Sequence, residues 1–91
     1  MSETRIGRVE KYYSNLGVAV IELVRGPLRL GDMIHIRGAT TDFKQPVESM
    51  QIEHARVEQA EAGQRVAIQV VSKARQHDTV YQILPSLIPQ E

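Results

Sequence analysis

The chain has 91 residues, no cysteine, and 11 Lys and Arg against 11 Asp and Glu. That length suits one domain, which by surface scaling removes close to two thirds of its unfolded area from water. The missing cysteines exclude a disulfide framework, a thiolate zinc site and a cysteine nucleophile, and the zero net charge leaves no polyanion-binding signature in the total.

Residues 1–4 and the tail Pro85 to Glu91, with its two prolines, read as frayed ends, so one domain is expected over residues 5–84. Between them the chain reads as short strands separated by turn signals. Tyr12-Tyr13 falls where alternation turns one ring inward and the other outward. Gly17 to Leu23 is a β-branched run with Val18 and Val20 on one face and Ala19, Ile21 and Leu23 on the other. Both faces are mostly apolar, as in a strand buried in a barrel or sandwich. Arg25-Gly26-Pro27 and Leu30-Gly31-Asp32 supply turns. Met33 to Arg37 alternates, with Ile34 and Ile36 inward and His35 and Arg37 outward. Gly38 to Pro46 reads as a polar loop with one aromatic, Phe43, and Val47 to His54 as another alternating strand. Glu53 to Ala62 is made of helix formers with a thin apolar stripe, which predicts an irregular stretch with at most one helical turn. Arg65 to Val71 and Asp78 to Leu84 complete the set. The expected core is Val9, Val18, Val20, Ile34, Ile36, Met50, Ile52, Val66, Ile68 and Val80. Six or so strands without a long helix predict an all-β fold, and closure into a small antiparallel β-barrel hides the edges of so short a sheet.

The run Ile6-Gly7-Arg8-Val9, Gly17-Val18-Ala19-Val20 and Leu30-Gly31-Asp32-Met33-Ile34-His35-Ile36 resembles the second-domain barrel of translational GTPases such as elongation factor Tu. Val47 to Ile52, Ala62-Gly63 with the strand to Ile68, and Asp78 to Tyr81 resemble its second half. The resemblance is closest to short, free-standing elongation-factor-like proteins and to similar barrels attached to collagenase-like peptidases. It implies a closed barrel of the translation-factor second-domain type that contacts RNA, the ribosome or a translation-related protein. One departure stands out, since the resembling domains carry Gly-Asp in the last turn and this chain has His77-Asp78. The physical demands are independent of any function: Gly31 permits positive φ, and Gly7 and Gly17 suit places where a wall bends or a backbone comes close.

The chemistry-bearing motifs of an enzyme are missing. There is no Gly-x-x-x-x-Gly-Lys-Ser/Thr loop, so GTP binding is not expected, and no Gly-x-Ser-x-Gly elbow around any serine. His35, His54 and His77 fall at no metal-ligand spacing, and no cofactor is expected; they read as a solvated strand residue, a half-buried residue and a turn residue. No apolar run reaches the roughly 18 residues of a membrane span, and the first residues lack signal-peptide features, so a cytoplasmic protein is expected. Residues 1–37 carry six bases against four acids, and residues 38–61 two bases against five acids. If RNA is the ligand, Arg8, Arg37 and Lys44 are candidate phosphate partners, Thr40 and Thr41 neutral donors, and Phe43 a stacking ring. Against this, a lone large apolar residue in a polar loop is a plug for the core. The leading expectation is a non-enzymatic, translation-factor-like binding module. The alternative is a protein-interaction or accessory module, such as a partner of a collagenase-like peptidase, without nucleic-acid contact.

Overall fold

The computed structural model of the chain describes residues 2–84. Among the described residues ten strands are formed: β1 (Ser2–Tyr13), β2 (Val18–Leu23), β3 (Leu28–Arg29), β4 (Met33–Arg37), β5 (Asp42–Pro46), β6 (Met50–Ile52), β7 (Ala55–Arg56), β8 (Gln59–Ala60), β9 (Arg65–Gln69) and β10 (Thr79–Leu84). Eight of them make one sheet in the order β5-β4-β10-β1-β2-β9-β6-β7, and β3 pairs with β8. Every ladder is antiparallel. The all-β, antiparallel expectation holds; the closed barrel does not.

The sheet curls but keeps two edges, β5 and β7. Beyond β5 the chain turns back on the β3–β4 turn: Val47 N–H donates to Asp32 O and Gly31 N–H to Val47 O. This leaves β5 no run of backbone to share with β9, and Pro46 brings no N–H to a ladder. A side chain bridges the two instead. The buried Gln45 amide donates to Gln69 O at 2.9 Å and accepts from Val71 N–H at 2.7 Å.

The core lies inside this curl and holds Ile6, Val9, Ala19, Ile21, Leu23, Ile34, Ile36, Met50, Val66, Ile68 and Val80. Val18, Val20 and Ile52, expected in it, are only half-buried. In β2 it is Ala19, Ile21 and Leu23 that point inward, which sends Val18 and Val20 to the outer surface with Glu22. Two register shifts bend β1, one between Arg5 and Gly7 and one between Val9 and Lys11. At the first, Gly7 lies so close to β2 that an added Cβ would sit 2.2 Å from Glu22 O.

Other local expectations change. β1 runs through residues 2–4, where no strand was expected, and β5 occupies half of the expected polar loop. Glu53 and His54 both take positive φ, and with Ile52 paired to Ala55 they form a two-residue hairpin turn of the kind that matches strand twist. Their helix-forming neighbours therefore enter β7 and β8. Gly17, at φ +65°, serves the β1–β2 turn rather than a bend in a strand. His77 takes φ +78° where the resembling domains have glycine. The Pro85 to Glu91 tail lies outside the described residues.

Candidate functional site

The outer face of β1, β10, β4 and β5 is ordered in register rows. The first is Glu3, Ile83, Met33 and Pro46; the second is Arg5, Tyr81, His35 and Lys44; the third is Arg8, Thr79, Arg37 and Asp42. The bulge at Ile6 is what keeps both Arg5 and Arg8 outward despite their odd separation. Of the candidate binding residues, the structure thus brings Arg8, Arg37 and Lys44 onto one face. It does not bring the others there. Phe43 packs against the core as a plug, Thr41 is only 4% exposed, and Thr40 is exposed in the short loop that separates β4 from β5. Arg8 Nε is engaged with Glu22 at 3.3 Å.

His35, expected in solvent, is 6% exposed. Its Nδ1 lies 2.9 Å from Glu3 Oε1, its Nε2 lies 2.5 Å from Asp42 Oδ1, and the Tyr81 ring is 6.1 Å away at a tilt of 42°. Only the imidazolium carries two N–H groups, so the ring serves both carboxylates in that form and one in the neutral form. The hydrogen bond from His35 holds the Asp42 carboxyl below its ordinary value; desolvation opposes this, and the charges of His35, Arg37 and Lys44 add to it. Glu3 sits 32 residues from His35, and no local pattern announces the pairing. His54 and His77 lie in exposed turns. No group of three or more acidic or histidine side chains among the described residues is arranged to hold a metal ion.

The outer face of β2, β9 and β6 carries a groove of about 730 Å³. Val18, Val20, Ala67 and Ile52 line it, with the exposed Tyr13 and Leu16, and so do the polar Glu22, Gln51, Glu53, His54, Gln64 and Arg65. Tyr12 packs on the core, so the expected division of the tyrosine pair holds. The sequence pattern places Val18 and Val20 in the core and so leaves no groove on this face. Glu22, in phase with both valines, is the sequence signal that marks this face as the outer one. Such a mixed lining suits contact with an amphipathic protein segment.

No family model matches the sequence. Over 80 residues, 87% of the chain, it is 44% identical to a protein named Collagenase from Porphyromonas gingivalis, 22% of whose length is covered. Over 77 residues, 84% of the chain, it is 44% identical to an uncharacterised protease of Methanocaldococcus jannaschii, 19% of whose length is covered. The crystal structure of the C-terminal domain of a Geobacillus thermoleovorans U32 peptidase superposes with a TM-score of 0.81 at 22% identity, over 88% of this chain and 92% of that one. The fold is that of a U32 peptidase C-terminal domain.

The chain spans about a fifth of the length of the curated relatives it matches. These findings overturn the resemblance to elongation factor Tu. The relatives are a collagenase and a protease, and the structural neighbour is a U32 peptidase domain. The translation-factor, RNA-binding and ribosome expectations are corrected with it. The matches favour the accessory-module reading, and the likeness to domains attached to collagenase-like peptidases is the part of the resemblance that stands.

Proposed function

We propose that the chain is an accessory domain, not itself catalytic, that works with the body of a collagenase-like U32 peptidase. The observation that carries this reading is the 44% identity to a segment forming about a fifth of a protein named Collagenase. The structure supports it by what it offers, a partly apolar groove and a ranked outer face, both suited to contact with protein. Under this reading Arg8, Arg37 and Lys44 belong to a protein-facing surface. The groove is a second contact region, open to an extended segment of the peptidase or its substrate.

The test is collagen cleavage by the Porphyromonas gingivalis collagenase with its matched segment excised, and with this chain in its place. Excision is expected to lower cleavage, this chain to restore it, and the 91-residue chain alone to cleave nothing. Full cleavage by the excised enzyme, or cleavage by the chain alone, contradicts the proposal.

A further inference from the structure

Resting on that reading, we infer that the peptidase body packs against the leading end of the β1–β10–β4–β5 face, around Met33 and Ile83. Three observations converge on this surface. The first is where the rest of such a protein is joined. The crystallised neighbour is a C-terminal domain, so its body precedes the fold and reaches it through the start of the first strand. The matched segment is 22% of the collagenase, which leaves almost four fifths of that protein elsewhere. β1 is 12 residues long. At roughly 3.4 Å per residue its contour runs to some 35–40 Å, an upper bound on the separation of Tyr13 from Ser2 because two bulges bend the strand. A body joined at Ser2 therefore borders the first register row and stands away from the Tyr13 and Leu16 end of the groove.

The second observation is the chemistry of that row. Ile83, Met33 and Pro46 follow Glu3 across three neighbouring strands. Ile83 is 8% exposed yet does not belong to the core cluster, because it lies on the outer side of the sheet. Met33 is 39% exposed, and Leu30 and Leu84 at the same end are 41% and 43% exposed. Apolar residues clustered where a chain enters mark a contact area rather than scattered surface.

The third is charge. Arg5 and Lys44 in the second row and Arg37 in the third enter none of the ion pairs among the described residues. The occupant's face is thus an apolar centre with carboxylates along the side that meets those three cations. The sequence candidates Arg37 and Lys44 acquire a role here as rim residues for a protein surface.

The methionines make this measurable. Met33 is exposed and Met50 is 1% exposed in the core, so peroxide oxidation followed by peptide mass spectrometry reads the face and the core together. The samples are the free 91-residue chain and the Porphyromonas gingivalis collagenase carrying this chain in place of its matched segment. In the free chain Met33 should oxidise readily and Met50 slowly. In the swapped enzyme Met33 should fall to the rate of Met50, while Tyr13 keeps the nitration rate it has in the free chain. An unchanged Met33 overturns the inference. Protection of Tyr13 in place of Met33 also overturns it, assigning the body to the groove. Collagen cleavage by the same swapped enzyme reports separately whether the accessory reading stands. Met33→Glu, at an exposed position, should leave the melting of the free chain unchanged and speed protease cleavage at the junction ahead of Ser2 in the swapped enzyme. Unaltered cleavage there counts against the proposed face.

Discussion

Gly7→Ala is expected to be among the most damaging single-methyl additions the fold can receive. An added Cβ sits 2.2 Å from Glu22 O, with Glu22 C at 3.1 Å and Leu23 Cα at 3.2 Å, whereas real Cβ atoms stay beyond 3.0 Å. All three neighbours are backbone, so no rotamer change relieves the clash. The β1 and β2 strands must part by close to an ångström at the Gly7–Leu23 pair, in the middle of the sheet. A ladder bond of about 2.9 Å stretched that far leaves the hydrogen-bonding range. Overpacking costs about 1–3 kcal/mol and an orphaned buried backbone group about 1–3 kcal/mol more, so a loss of about 2–6 kcal/mol follows. A domain of this size holds on the order of 5–14 kcal/mol in all. Each kcal/mol lowers the melting temperature by roughly 4–8 °C. Urea and thermal unfolding followed by far-ultraviolet circular dichroism measure it. Gly31→Ala is the control: nothing lies within 4 Å of its added Cβ, but φ is +92°. It should cost only the backbone strain of about 1–2 kcal/mol. A loss under about 0.5 kcal/mol for Gly7→Ala would refute the close approach.

Gln45→Ala should cost about 1–3 kcal/mol, because it strips the partners from Gln69 O and Val71 N–H and unties β5 from β9; denaturant unfolding within 0.5 kcal/mol of the parent would show that water replaces the amide without loss. His77→Gly should raise stability by about 0.5–1 kcal/mol, since relief at φ +78° exceeds the added chain entropy of glycine; a lower melting temperature contradicts it. Asp42 sets a pH dependence. Its folded carboxyl keeps its charge to lower pH than the ordinary 3.8, so its contribution is complete above that value and is lost as the pH falls through the folded one. Carbon-13 NMR titration should place Asp42 below 3.8 in the parent and return it toward 3.8 in His35→Gln, and identical curves in the two proteins would remove His35 as the cause.

The sequence was most legible where period and turn chemistry agree. Met33 to Arg37 alternates between two turn signals and forms β4 within those bounds. β5 escaped because Phe43 is its one large apolar side chain, so its strand character comes from pairing with β4 rather than from its own pattern. The Glu53 to Ala62 segment escaped because helix propensity is weak against tertiary pairing, and its positive-φ turn uses Glu and His where Gly or Asn is the usual marker. The mistaken family likeness has a physical origin as well. Gly31 and Gly63 adopt φ +92° and +90°, and Gly7 admits a neighbouring backbone. Tight turns and close strand crossings place such demands on any curled antiparallel sheet, so short glycine motifs report geometry more readily than ancestry. The groove and the leading face depend on phase. Exchanging the two faces of β2 moves Val18 and Val20 from core to surface, and the single charge in that strand, Glu22, is the one residue that declares which face is outward. The Glu3–His35–Asp42 chain joins three strands and is visible only once they are side by side.

Differential scanning calorimetry of the Porphyromonas gingivalis collagenase carrying this chain in place of its matched segment tests the central claim most directly. If the chain is an accessory domain docked on the peptidase body, its unfolding moves to a higher temperature than in the free 91-residue chain, because contacts made only in the folded state add to its stability. A separate transition at the temperature of the free chain, with the body unfolding independently, would contradict the account.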